Sequence, residues 1–456
     1  MDRVISYIER EKSRSINELT ELLRIPSISS QTEHKKDMEK CADLVVNYLK
    51  SAGFEDVRIV PTKGHSIVYA QWLGAGKDAP TVLVYGHYDV QPVDPLDLWH
   101  SPPFEPVIKD GKIWARGCAD DKGQLFCHIK SLEAHFKTNG KFPVNVKIVF
   151  EGEEEALESH LDEFIQNNSE LLACDYTIIS DTEWFADGLP TICYGLRGIS
   201  FVEVTLTGPN RDLHSGSFGG AVDNPLNVLC KMVAQLKDNN GRITIPGFYD
   251  DVIDISQKEK DEFKKLPFDE KHYCKDLGIK SVNGEKGFTT LERIWIRPTL
   301  DLNGIVGGYT GEGAKTIIPS KASAKLSMRL VPNQNPEDIS KNFEKYFRSL
   351  APETVSVDVK LAPGGNPVIT PLDSKAVKAA VSALKSAFGK EVVYMREGGS
   401  IPVADMFSSV LNAETVFMGF GLPTDNIHSP NENYSLENFY NGIKASAYFF
   451  DFISKV

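Results

Sequence analysis

The order of apolar and polar positions changes its period several times along the chain, and each change marks an element. Over residues 2–24, Val4, Ile8, Ile16, Leu19, Leu22 and Leu23 recur at helical spacing between charges. This predicts one or two amphipathic helices ending near Pro26. A second helical pattern covers about 37–52 and stops at Gly53. Strand-like runs follow at 57–60, 66–72 and 81–85, the last preceded by a Gly-rich turn at 74–78.

Residues 92–106 are rich in Pro, Asp and aromatics and read as a loop. A short strand then ends in the turn carrying Asp120 and Asp121, followed by a helix over about 123–138 with Leu125, Ile129, Leu132 and Phe136 on one face. The run 144–150 reads as a buried strand and ends in Glu151-Gly152-Glu153-Glu154-Glu155. A helix and a strand at 176–180 lead to Asp181-Thr182-Glu183. Four apolar strands thus stop at acidic groups or, after residue 86, at His87. Alternating strands and helices predict an α/β domain whose central, mostly parallel sheet is flanked by helices, with those four ends on one edge.

The period shifts after Gly198. Residues 200–206, 321–330 and 354–359 alternate cleanly, as half-exposed antiparallel strands do, and 224–238 and 336–350 read as helices. Residues 239–296 are polar and irregular, with the dense charge run 258–265 read as a solvated helix face. After about 372 the helix–strand pattern returns, with a helix at 374–388, strands at 392–395 and 415–419, and a last amphipathic helix at 436–453. The expected organisation is a discontinuous domain, 1–198 and 373–456, with a smaller α+β domain, 199–372, inserted into it. A length of 456 residues also calls for more than one core.

Composition narrows the functional classes. The balance of 63 acidic and 50 basic side chains, net charge −13, argues against a nucleic-acid partner. The charged N-terminal stretch lacks a signal peptide's apolar core, and no apolar run reaches about 18 residues, so no membrane role is expected. Seven scattered cysteines without a Cys-x-x-Cys pair fit a reduced, cytoplasmic interior.

The chemistry follows from the strand ends. A histidine that ligates a metal through one ring nitrogen needs its other N–H held by an acceptor, and Asp89, two residues after His87, could serve. Clustered carboxylates repel one another unless cations are present. Histidine with several carboxylates suits zinc or manganese, and an acid left over can act as general base on a metal-activated water. Each motif alone is weak: His-x-Asp can be a plain hydrogen bond, paired Asp a turn, and Glu153–Glu155 a helix start.

Together the stretches Gly86-His87-Tyr88-Asp89-Val90-Gln91-Pro92, Arg116-Gly117-Cys118-Ala119-Asp120-Asp121-Lys122-Gly123, Glu151-Gly152-Glu153-Glu154-Glu155, Ser180-Asp181, Tyr194-Gly195-Leu196-Arg197-Gly198, Asp212-Leu213-His214-Ser215-Gly216, Gly313-Ala314-Lys315-Thr316, Arg329-Leu330-Val331-Pro332, Arg396-Glu397-Gly398-Gly399-Ser400-Ile401-Pro402 and His428-Ser429 resemble the M20 metallopeptidases, in the family's order. The nearest branch in resemblance is the cytosolic nonspecific dipeptidases and carnosinases. The resemblance implies two divalent ions, zinc or manganese, with His87 and Asp181 on one, Glu155 and His428 on the other, and Asp120 bridging them beside a catalytic water. Glu154 would be general base and acid, its choice over Glu153 resting on register, and Asp89 would support His87 from behind. A cis peptide is implied between Asp120 and Asp121. Lys122 reads as a charge partner for Asp121.

His214 would stabilise the oxyanion, reaching in from the partner subunit of a homodimer. Arg329, Thr316 and Ser400 would hold the substrate's terminal carboxylate, and Glu397 a free amino group. The implied reaction is dipeptide hydrolysis. The alternatives are an N-acyl-amino-acid deacylase or carboxypeptidase of the same architecture, or a non-catalytic binding protein. The long stretch 248–297 and Arg-Glu-Gly-Gly-Ser favour the dipeptidase branch.

Overall fold

The computed structural model describes residues 1–156, 159–399 and 401–456, and the chain divides into two compact units. The larger comprises Met1–Tyr194, Thr370–Met395 and Met406–Val456; the smaller comprises Gly195–Ile369 and Arg396–Asp405.

The larger unit is built on a large mixed sheet. Its strand order begins Asp56–Val60, Ile67–Trp72, Asn145–Glu151, Thr81–His87, Tyr176–Ile179, Glu414–Phe417, Thr191–Leu196. The central pairs are parallel and the pairs toward both ends antiparallel. Strand Thr81–His87 is buried from Val82 onward, with neighbouring strands on both edges and helix Lys122–Asn139 packed against it. A strand buried on both faces reads as a continuous apolar run, which is the pattern seen at 81–85.

The helix Lys122–Asn139 departs from the amphipathic reading. It is buried from Lys122 through His135, so polar side chains inside it must find partners. His128 bonds Ser180 and Ser446, Lys130 pairs with Glu18 and Glu133, and Lys122 donates to the carbonyls of Ile25 (2.8 Å) and Leu22. Lys122 is therefore engaged with the end of the second N-terminal helix, in place of the expected pairing with Asp121.

A second departure concerns Asp120 and Asp121. The strand before them, Lys112–Trp114, belongs to a separate three-stranded sheet with Val107–Lys109 and Asn433–Ser435, where Trp114 pairs with Asn433. The two aspartates consequently approach as the entry to helix Lys122–Asn139, not as a fourth strand end of the main sheet. The small sheet ties the segment leading to Asp120 to the segment that follows His428.

In the smaller unit an antiparallel sheet runs in the order Thr299–Gly307, Lys321–Leu330, Gly198–Thr207, Ser356–Leu361. One face carries Val202, Val204, Leu206, Ala322, Ala324, Leu326 and Met328 into a core shared with helices Pro225–Ala234 and Pro336–Ser349. Both helices begin with Asn-Pro. The Asn224 and Asn335 side chains accept from first-turn amides at 2.9 Å, and proline occupies a position whose N–H is not needed. The region read as irregular, 239–296, contains three short helices, Gln257–Phe263, Glu270–Asp276 and Thr290–Trp295. Strand Thr299–Gly307, which the alternation did not mark, is an edge strand with Leu302, Ile305 and Val306 exposed.

Candidate metal centre

Three parallel strands bring His87, Glu154, Glu155 and Asp181 to one edge. The register places His87 opposite Glu151 and Tyr85 opposite Ile179. Hence the turn carrying Glu154 and Glu155 and the residues after Ile179 emerge beside His87. Gly86 is needed there: a Cβ would lie 2.7 Å from Asp121 Oδ2 and 2.9 Å from Leu125 Cβ. The space it leaves lets that carboxylate accept the His87 amide at 3.2 Å. The Asp120–Asp121 peptide is cis.

His428 comes from the loop after strand Glu414–Phe417. Asp425 closes that loop, its Oδ2 accepting from the Leu422 amide at 2.8 Å, and His428 itself has φ +55°, a conformation uncommon for a side-chain-bearing residue.

The side chains converge on Asp120. Its Oδ1 lies 3.0 Å from His87 Nε2, and its Oδ2 lies 2.8 Å from His428 Nε2. Asp181 Oδ2 is 3.8 Å from His87 Nε2, and Glu155 Oε1 is 3.1 Å from His428 Nε2. Two donor groups result, His87–Asp120–Asp181 and Asp120–Glu155–His428, each with its ligand atoms within 4.8 Å of one another. Asp120 belongs to both.

Asp89 supports both groups. His87 Nδ1 is 3.1 Å from the Asp89 backbone carbonyl and 3.4 Å from its carboxylate, and the other carboxylate oxygen accepts the Glu155 amide at 3.0 Å. Gln91 donates to Glu155 at 2.6 Å. Glu153 is turned to His160, whose ring nitrogen and amide lie 2.9 and 3.3 Å from its Oε2. That leaves Glu154 as the acid of the turn that faces Asp181, Glu155 and Asp120 electrostatically.

The charge balance is what a cation site needs. Burial, with the negative charges of Asp120 and Glu155 behind it, pushes Asp181 up to about 7. Burial likewise raises Glu155, and it raises Glu154 well above the usual carboxylate range with help from Asp181 and Glu155. Hydrogen bonds to Asp120 and Glu155 lift His428 to about 10, while burial of His87 is outweighed by its bonds to Asp120 and Asp89. Among the described residues, the ion pairs of Asp120, Glu155 and Asp181 run to histidines. Histidines are thus the partners these carboxylates have. Divalent cations would take over that role, with neutral imidazoles as ligands. The donor set of nitrogen and carboxylate oxygen fits zinc or manganese.

Sequence reasoning missed the supports behind this cluster. Ser180, next to Asp181, bonds His128 at 2.8 Å and the Met418 carbonyl at 2.6 Å. Gln124 bridges the Ala119 carbonyl and the Phe420 amide. Glu432 accepts from four donors around Asp120. Proximity of Glu432 to His428 in sequence was the one available signal.

The remaining predicted residues lie in the smaller unit. His214 is exposed, and its Nδ1 accepts the Gly216 amide at 3.0 Å, which leaves the proton on Nε2. The short ladder of Leu213–His214 with Ile317–Ile318 brings Thr316 beside it, the Thr316 carbonyl accepting from the Ser215 amide at 3.0 Å. Arg329 sits on strand Lys321–Leu330 with Ile199 as its register partner. Arg197 lies near it: burial first, then the Arg329 charge, lowers Arg197 to about 10. Glu397 ends strand Val393–Glu397, and the preceding Arg396 is paired with Glu259. Ser400 lies outside the described residues.

The model of peptidase family M20/M25/M40 matches residues 83–451. The chain belongs to this family. Over nearly its whole length it is also 33% identical to the Cys-Gly metallodipeptidase DUG1 of Saccharomyces cerevisiae, covering 99% of this chain and 98% of that one. It is 30% identical to the human beta-Ala-His dipeptidase, covering 99% and 92%. Among solved structures, an M20 family metallo-carboxypeptidase from Sulfolobus solfataricus superimposes with a TM-score of 0.86 at 33% identity, covering 97% of this chain and 99% of that one. Both the sequence span of the M20 match and this full-length structural likeness include the strand ends and the His428 loop. No helix among the described residues is long and apolar enough to cross a membrane.

Proposed function

We propose that this M20 peptidase is a dipeptidase that uses two divalent ions, zinc or manganese. The observation that carries the reading is Asp120, whose two oxygens face two separate donor groups. His87 and Asp181 would hold one ion, Glu155 and His428 the other, and Asp120 both. When bound there, divalent ions would supply Lewis-acid chemistry, a more acidic water and a more polarised scissile carbonyl.

The chain's own groups do the rest. Glu154, raised by burial and its acidic neighbours, takes the proton of the attacking water and returns it to the leaving amine. Asp89 keeps His87 and the Glu155 backbone in place. His214, with its free Nε2–H, donates to the oxyanion of the tetrahedral intermediate. Arg329, Thr316 and Ser400 hold the substrate carboxylate; the proximity of a second guanidinium, Arg197, favours an anion there. Glu397 meets the free amino group, which limits the substrate to two residues.

The same reading makes 199–372 a lid and dimerisation domain and the enzyme a homodimer, with His214 acting across the interface. The exposed apolar edge strand Thr299–Gly307 is a surface suited to a second copy. A cytoplasmic setting fits the scattered cysteines.

A second reading, a carboxypeptidase, is favoured by the Sulfolobus solfataricus likeness. A panel of free dipeptides, N-acetyl amino acids and longer peptides, assayed with zinc, manganese or no added metal, separates the two. Dipeptide cleavage that needs metal and a free amino terminus supports the first. Preference for longer or blocked substrates overturns it in favour of the second.

A further inference from the structure

Glu432 is fully buried, and a buried carboxylate is costly unless its oxygens are satisfied. Here four N–H donors converge on it. Oε1 accepts from the amides of Ala119 at 2.9 Å and Asp120 at 3.2 Å; Oε2 accepts from the amide of Gly117 at 2.8 Å and from Arg116 Nη1 at 2.9 Å. This is the complement of an ionised carboxylate. Gly117 makes the wrap possible: its φ is +82°, and a Cβ would lie 2.5 Å from Val90 Cγ1. The Glu432 carbonyl also accepts the Ala115 amide at 3.1 Å, and Asn433 pairs with Trp114. Side chain and backbone of one residue therefore clasp the whole segment that presents Asp120, from a position four residues after His428.

We propose that Glu432 is a positioning residue that fixes Asp120 and His428 relative to each other and so sets the affinity of the metal position they share. The proposal rests on the two-metal reading above and assigns a role to a residue that reading does not use. A carboxylate serving stability alone need not engage the amide of the bridging ligand; this one does. Shifting the Asp120 backbone by a fraction of an ångström moves Oδ2 away from His428 and Glu155 together.

The test compares the full-length wild type with Glu432→Gln, each loaded with zinc and then titrated with a competing chelator. Metal stoichiometry, thermal midpoint, kcat and KM are read in parallel. The expected result is that the ion shared by Asp120 and His428 is weakened by about 10- to 100-fold, and by more than the ion on the His87 side. The kcat falls while KM changes little, and excess zinc restores part of kcat. Unchanged affinity for both ions overturns the proposal, whether or not the thermal midpoint drops, because the role is then structural only. Should Glu432→Gln not fold, Arg116→Met removes one of the four donors and must weaken the same ion, by a smaller factor; unchanged affinity there is equally contrary. A wild type that binds no zinc refutes the metal reading itself, whereas two ions held alike by wild type and variant refute this proposal alone.

Discussion

The larger unit places its candidate ligands on strand ends, a helix start and a loop, gathers their donor atoms to within 4.8 Å in each group, and backs several with buried partners. The smaller unit carries His214 and Thr316 as exposed residues, one in and one beside a two-residue ladder, and Arg329 on a half-buried strand position. Metal chemistry needs fixed ligand positions, which a buried sheet edge supplies. Substrate capture needs donors that stay open to solvent until a ligand arrives. The difference implies that substitutions in the two units fail in different ways.

The sharpest break comes from Glu154→Gln. It removes the proposed proton carrier and keeps the shape, so kcat should fall by roughly 10²–10⁴-fold with metal content intact. Steady-state kinetics beside elemental analysis checks this, and near-normal turnover contradicts the assignment. His214→Ala removes the proposed oxyanion donor from an exposed position, so kcat should drop by about 10²–10³-fold with stability and metal binding unchanged. Mixing Glu154→Gln and His214→Ala subunits sharpens the comparison. If His214 acts across a dimer, one site in each mixed dimer has both groups and activity reappears; if it acts within its own chain, the mixture stays inactive.

Arg329→Lys keeps the charge and loses the planar fork, so KM for dipeptides should rise by about 10-fold while kcat changes less. The reverse pattern would move Arg329 out of substrate binding. The smallest effect concerns the support behind Asp181. Burial lowers the pKa of His128 to about 3, against an ordinary 6.5. The unfolded chain therefore takes up that proton first as pH falls. The contribution of neutral His128 is complete above about 6.5 and is lost progressively between there and about 3. Denaturant unfolding of the wild type should show a steeper loss from pH 6.5 to 5 than His128→Gln, by at most about 1.4 kcal/mol per pH unit. Parallel slopes would mean that His128 is protonated in the folded state.

Legibility in the sequence follows the same division. Val82 and Val84 sit on a strand covered on both faces, so the run ending at His87 reads directly as a central strand. Val202, Val204 and Leu206 sit on a sheet with one covered face, so their alternation reads as an antiparallel strand. Strand Thr299–Gly307 escaped because an edge with little burial leaves no period to detect. The helices Gln257–Phe263 and Thr290–Trp295 are too short for periodicity, yet each opens on a capping box, Ser256 with Glu259 and Thr289 with Glu292, which the sequence does display. The burial of helix Lys122–Asn139 was hidden because its polar residues are satisfied by partners far along the chain, Ser446 for His128 and Glu18 for Lys130. For the same reason the candidate ligands were nameable from their motifs, while the supporting roles of Glu432 and Ser180, which rest on contacts of long sequence separation, were not.

Whether Asp120 serves two metal positions at once is read from the metal-to-protein ratio. Wild type, His428→Ala and Asp120→Asn are each equilibrated with zinc or manganese, dialysed and assayed by elemental analysis. Two ions per chain are expected for the wild type, one for His428→Ala, and weakened binding at both positions for Asp120→Asn. A wild type holding a single ion, or Asp120→Asn retaining two, would contradict it.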